Sequence, residues 1–389
     1  MKGKIYGLIF CCLLMMTACR HEVANSNGST NTAQDVVTEA TSQVPYEMPK
    51  NLIRSASKVV NDSKTKSTIT SQESYQIGTY IKISIYADKE APSTLFDELF
   101  YTIDQYEKRI STSIESSEIN AINEAAGIEP VVVSDAVWQL IQKGIAYGEL
   151  SDGKFDITIE PLVALWGIGS DHARIPAKEE IQQAIGRIDY KTLVLDEEDH
   201  SVFLPEKGMG LDLGAIAKGF IADELKAIII ARGYEHAIIN LGGNVLTVGH
   251  KPNSETWSVG IRDPKGGQTD ILGVLHLKDN SIVSSGVYER FFEEDGVRYH
   301  HILNPFTGYP EQNSLQAISI VSKNSVDGDG LSTSLFVMGL KEAYTYASER
   351  DDIEVLLITD DNKLYYTEGL KDIFTLTNTL YEEVGAYRE

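Results

Sequence analysis

Residues 211–223 read Leu-Asp-Leu-Gly-Ala-Ile-Ala-Lys-Gly-Phe-Ile-Ala-Asp, the most specific segment of the chain. A glycine turn at Gly214 leads straight into an apolar-periodic helix expected to run from Ile216 to Gly233. The start of such a helix presents unpaired N–H groups and the positive end of the helix dipole, which together favour a phosphate. Lys218, one turn in, can reach the same anion or pair with an acidic neighbour. The spacing fits neither the six-residue dinucleotide fingerprint nor a Walker loop. Taken alone, the run also fits a capping Asp212 and a packing Gly214.

Other islands point the same way. Gly153-Lys-Phe-Asp-Ile-Thr-Ile-Glu-Pro161 places Asp156 beside a glycine turn, where it can accept from a ribose hydroxyl or a ring nitrogen. Tyr299-His-His-Ile-Leu-Asn-Pro-Phe-Thr-Gly308 sets His301 next to a rigid Asn-Pro turn, a suitable place for a proton acceptor. Asp327-Gly-Asp-Gly-Leu-Ser-Thr333 supplies oxygen ligands at a helix start. Asp329 and Thr333 are four apart, hence on one helical face, and a carboxylate with a hydroxyl suits Mg²⁺. Leu241-Gly-Gly-Asn244 follows a strand and allows close approach of a planar or phosphate ligand. Ser284-Ser-Gly-Val-Tyr-Glu-Arg290 lies just before the histidine island.

The N-terminus reads as an address. Lys2 and Lys4 precede an apolar stretch from Ile5 to Ala18, too short to span a bilayer comfortably, and it ends at Met16-Thr-Ala-Cys19. This fits a lipoprotein signal over 1–18 with Cys19 lipidated, so the expected location is extracytoplasmic, membrane-anchored. The chain has three cysteines, Cys11, Cys12 and Cys19, so the body has no disulfide and no cysteine metal site. Residues 19–71 read as a flexible tether, within which Asn51 to Val60 has the pattern of a loose helix or strand. The body then covers 72–389. A formal net charge of -23 argues strongly against nucleic acid and calls for local countercharge or a metal at any anion site. Strand and helix patterns interleave irregularly along the body, which indicates α+β with mixed sheets flanked by helices.

In this order, from Ile77-Gly-Thr79 and Ser117-Glu-Ile-Asn120 to Asp329…Thr333, the islands resemble the ApbE family, the FAD:protein FMN transferases. The resemblance covers nearly the whole body and implies a single catalytic domain. It implies transfer of the FMN half of FAD to a Thr or Ser hydroxyl of a target flavoprotein, with release of AMP. By motif match, the Ala215 carbonyl, Asp329 and Thr333 would bind Mg²⁺ or Mn²⁺. Ile77, Asp156, Asp212, Lys218 and Ile302 would line the FAD site, and His301 would lie beside the pyrophosphate. Three departures stand out: Ile77 where Met is usual, Ser113 where a larger residue is expected, and Ser332 at a position acidic in some relatives. The first two loosen the expected FAD pocket. The rival expectations are an FAD pyrophosphatase at the same site, a lipoprotein that only stores flavin, and a structural surface lipoprotein.

Overall fold

The computed structural model describes residues 54–388. The expected signal over 1–18, Cys19 and most of the expected tether lie outside the described residues. In chain order, strands β1 (Lys58–Asp62), β2 (Ser67–Gln76) and β3 (Thr79–Ala87) precede helices α1 (Ser93–Ile110) and α2 (Glu118–Glu124). Next come β4 (Val131–Val132), α3 (Asp135–Leu150), α4 (Glu160–Trp166), α5 (Lys178–Ile185), β5 (Val194–Asp196) and β6 (Ser201–Phe203). Helix α6 (Ala217–Ala231) is followed by β7 (Ala237–Leu241), β8 (Asn244–Val248), β9 (Trp257–Arg262), β10 (Ile271–Leu277) and β11 (Ser281–Gly286). A hairpin, β12 (Phe291–Glu294) and β13 (Val297–His300), leads to β14 (Leu315–Ser322) and α7 (Ser325–Ser348). Strands β15 (Ile353–Thr359), β16 (Lys363–Tyr366), β17 (Phe374–Leu376) and β18 (Glu382–Gly385) complete the described chain.

Ten strands form one sheet in the order β1-β2-β3-β7-β8-β11-β14-β15-β16-β18. Every neighbouring pair is antiparallel except β16 and β18. One face carries α1, α3, α6 and α7 over the main core. The helices seat there because their apolar residues recur at helical spacing, as Leu95, Phe96, Leu99, Phe100 and Ile103 do on α1. The other face carries the small sheet β17-β10-β9 over a second core around Trp257. A third cluster, with Leu162, Trp166, Ile181 and Leu303, fastens α4 and α5 to the histidine island. Helices on one face and a second sheet on the other make an α+β layer fold, as the interleaved patterns predict.

Two boundaries differ from the sequence reading. Order begins upstream of Gln72, because β1 and the first half of β2 lie within the segment expected as tether. Strand β1 has four exposed residues out of five, so its composition looks like linker although its backbone pairs fully with β2. Helix α7 begins at Ser325, just upstream of the Asp327–Thr333 run expected at a helix start, so Asp327 and Asp329 lie inside its first turns. Gly339 is non-helical, with φ 77° and ψ 176°, and breaks the helix in two.

Candidate active site

The site grows from two helix starts held against each other. The Gly219 amide, in the first turn of α6, donates to Asp329 Oδ2 on α7 at 2.7 Å. In return, Asp223 on α6 accepts from the first amides of α7, Ser325 N at 2.8 Å and Val326 N at 2.9 Å. Each helix thus caps the other, satisfying donors that a helix start leaves unpaired. Gly219 permits this approach: a Cβ there would lie 2.4 Å from the Ser325 carbonyl oxygen. Asp329 is 4% exposed, and burial raises its carboxyl above the usual range, with Lys218 and the Gly219 amide opposing. Lys218 Nζ stands 3.5 Å from Asp329 Oδ1 and 3.4 Å from the Gly214 carbonyl, a loose counter-ion rather than a tight pair.

Asp212 closes the glycine turn: its Oδ1 accepts from the Gly214 amide at 2.7 Å, and its own amide donates to the Ile157 carbonyl at 2.8 Å. Burial raises its carboxyl, with the Gly214 amide, Arg290 and Lys218 opposing. Ala215 lies in the same turn, half-buried, three residues after Asp212. Thr333 is half-buried one turn beyond Asp329. Ser332, at the departure noted above, is tied down: its hydroxyl bonds back to the Asp329 carbonyl at 2.9 Å and lies 2.8 Å from Ser285 Oγ. Asp327 is also spent, accepting from the Tyr147 hydroxyl at 2.6 Å and Asn324 Nδ2 at 2.9 Å.

The two histidines divide the work. His300, 2% exposed, bonds the Glu311 carbonyl through Nε2 at 2.8 Å and accepts the Ile302 amide on Nδ1 at 3.3 Å, which fixes its tautomer. It is structural, and it orders the backbone of the buried Ile302. His301 is anchored only by its amide, which donates to the Arg290 carbonyl at 3.0 Å. Its Nδ1 is buried and has no hydrogen-bond partner among the described residues. Burial, then the nearby Arg290 and His300, push its pKa down to about 3, so the ring is neutral at physiological pH.

Arg290 links these parts, acting electrostatically on Asp212, His301 and Glu289. Glu289 and Arg290 are both reached by solvent. Yet desolvation raises the Glu289 carboxyl, with Lys218 and Arg290 opposing. The sequence reading quoted Arg290 at the end of its motif but gave it no role. Asp223 and Asn244 were likewise missed as organising residues. A hydrophilic side chain directly after the Gly242-Gly243 turn was the available signal for Asn244.

Asp156 differs from the expected free carboxylate. Its Oδ1 accepts from the Thr158 amide at 2.8 Å and hydroxyl at 2.6 Å, and its Oδ2 from the Tyr190 amide at 3.0 Å. A ligand here would share oxygens that already hold the loop next to Ile157 and Asp212. Ile77 sits on the β2–β3 turn with φ 47°, and its amide donates to Glu107 Oε1 at 2.9 Å. A β-branched residue in the left-handed region is strained by about 1–3 kcal/mol. This turn lies against the β7–β8 turn, where the Gly242 amide donates to the Tyr80 carbonyl at 3.0 Å. A Cβ on Gly242 would fall 1.9 Å from Thr79 Oγ1. The shared Gly219–Asp329 and Lys218–Asp329 contacts thus join the 212–218 segment to α7, and the charges of Arg290 and Lys218 join His301 to both.

A buried carboxylate, a lysine, an arginine and a neutral histidine around a helix start define a site for a phosphate-bearing ligand on an α+β scaffold. The family model for the ApbE family matches residues 77–357, and the chain belongs to that family. A relative from Treponema pallidum, an FAD:protein FMN transferase, is 36% identical over 76% of this chain and 86% of its own length. An FAD:protein FMN transferase from Klebsiella pneumoniae is also 36% identical, over 79% of this chain and 95% of its own. The crystal structure of the ApbE protein from Thermotoga maritima superposes with a TM-score of 0.72 at 29% identity, covering 82% of this chain and 99% of that one. The flavin transferase ApbE from Vibrio cholerae gives 0.71 at 26%, covering 79% and 99%.

Proposed function

We propose that this protein transfers the FMN moiety of FAD to a Thr or Ser hydroxyl of a target flavoprotein and releases AMP. The observation that carries this reading is the mutual capping of α6 and α7, which sets Lys218, Asp329 and the 212–215 turn beside a neutral His301. Lys218, Arg290 and the start of α6 offer positive charge to the pyrophosphate within a strongly acidic chain. The acceptor hydroxyl attacks the FMN phosphorus, His301 takes its proton, and the bond to the AMP oxygen breaks. The pyrophosphate, an anion beside the ring, raises the basicity that burial suppresses.

The residues also fit a hard cation. Asp329, the Ala215 carbonyl and the Thr333 hydroxyl are all oxygen donors, and Lys218 stands where a loose counter-ion to Asp329 is needed. These three would hold Mg²⁺ or Mn²⁺, which when bound neutralises charge on the phosphates. Ile77, Asp212, Lys218 and Ile302 would contact FAD, with Asp156 supporting the loop behind Asp212. We further propose that Cys19 carries a lipid that tethers the enzyme to the outer face of a membrane, within reach of exported flavoproteins.

The test is incubation with FAD, Mg²⁺ and a candidate flavoprotein, read by intact mass of the acceptor. An FMN-sized adduct with stoichiometric AMP is expected. FMN and AMP without an adduct would identify a pyrophosphatase instead. One feature favours testing that second reading: Ser113 is exposed on the loop after α1, where it adds little wall to a pocket. Retention of FAD without AMP would indicate storage alone.

A further inference from the structure

Asn244 opens β8 directly after the Gly242-Gly243 turn and is 2% exposed. Its Oδ1 accepts from Ser325 Oγ at 2.6 Å, and Ser325 Oγ in turn accepts from Ser281 Oγ at 2.9 Å. All three side chains are buried. Because Oδ1 is committed to a hydroxyl donor, the orientation of the amide is fixed, and Nδ2 points the other way. That Nδ2 is buried and has no hydrogen-bond partner among the described residues. Asp329 stands four residues after Ser325, one turn on along the same face of α7, and Asn244 acts on its carboxyl to favour the charged form. A buried donor left without a saturated partner costs about 1–3 kcal/mol, so its retention needs a reason.

We propose that Asn244 is a positioning residue for Asp329, its amide locked by Ser325 and Ser281 so that Nδ2 steers the carboxylate toward the cation. The Gly219 amide already holds one Asp329 oxygen, Oδ2, at 2.7 Å. Nδ2 limits the remaining rotation of the carboxylate, leaving a lone pair directed at the site. Ser325 is the pivot, because its amide is held by Asp223 while its hydroxyl holds Asn244. The Gly-Gly turn therefore serves the site twice, by its close approach to Thr79 and by delivering Asn244 to the base of α7.

This inference rests on the cation reading above, and the experiment separates the two. Mn²⁺ binding to the full chain is measured by electron paramagnetic resonance, without FAD or turnover, with Asp329→Ala as the reference for lost binding. Asn244→Ala is expected to weaken Mn²⁺ binding about 10–100-fold, the usual range for residues that orient a metal ligand. Ser325→Ala should weaken it less, and the double variant no more than Asn244→Ala alone, because both act through one amide. Far-ultraviolet circular dichroism establishes that each variant is folded; if Asn244→Ala is not, Ser325→Ala and Asn244→Ser carry the comparison. Unchanged Mn²⁺ affinity in folded variants, or additive losses, would overturn the role of Asn244 while leaving the cation site intact. Failure of the unsubstituted chain to bind Mn²⁺ would overturn both.

Discussion

His301 has a committed backbone and an uncommitted ring, which is what a proton acceptor needs before its substrate arrives. Replacing it with Ala should leave FAD binding in place and slow FMN transfer about 10²–10⁴-fold, the usual worth of acid–base catalysis. Its pKa near 3 in the free enzyme adds a second expectation. A ring already neutral well below pH 6 contributes no acidic limb near the ordinary histidine pKa of about 6.5 to the kcat/KM profile. A limb there that disappears in His301→Ala would show that the ring titrates normally. Much at this scale was legible in the sequence. The Asn304-Pro305 turn marked the histidine island, and the spacing of Asp329 and Thr333 put them on one helical face. What the sequence could not reveal was which polar groups are already spent. Asp156, Asp327 and His300 look as available in one dimension as Asp329 and His301, but each is consumed by neighbours that only the fold supplies.

The pair α6 and α7 is the element that makes the site. The helices themselves were readable from apolar periodicity and from the glycine turn. Their mutual capping was not, because it joins residues 110 apart in sequence. Asp223 offers a direct test of that joint. Burial lifts its carboxyl to about 6, against the pull of the Ser325 and Val326 amides. Its folded pKa lies above the unfolded value of about 3.9, so the folded state binds the extra proton. Its contribution to stability is therefore full below pH ~4 and is lost as pH rises through about 6. Asp223→Asn cannot titrate. Its urea midpoint should fall less than that of the parent chain between these two pH values. Equal pH dependence in the two proteins would show that the Asp223 carboxyl does not titrate differently in the folded state.

For the whole molecule, the ten-stranded sheet sorts the work by face and by end. Strand and helix alternation made the class of fold legible. The edge strand β1 was less so, because an exposed edge needs no apolar face and so reads as linker. The N-terminal address predicts where the enzyme acts. Cys19→Ala should move the protein from the membrane fraction to the soluble fraction, or leave it unprocessed and larger by mass spectrometry. Normal cleavage with unchanged membrane retention would remove lipidation from the account.

The interlock of α6 with α7 also bears on when the enzyme becomes active. A chain made from its N-terminus completes α6 long before residues 325–333 exist. Until then the first turn of α6 has no carboxylate against it, and the proposed cation site lacks Asp329, its one acidic ligand. A chain that stops before Asp329 therefore lacks the joint on which the proposed chemistry rests. The interlock forms only when residues 325–333, in the last sixth of the chain, have been made, so synthesis must pass this point before the two helix starts can meet.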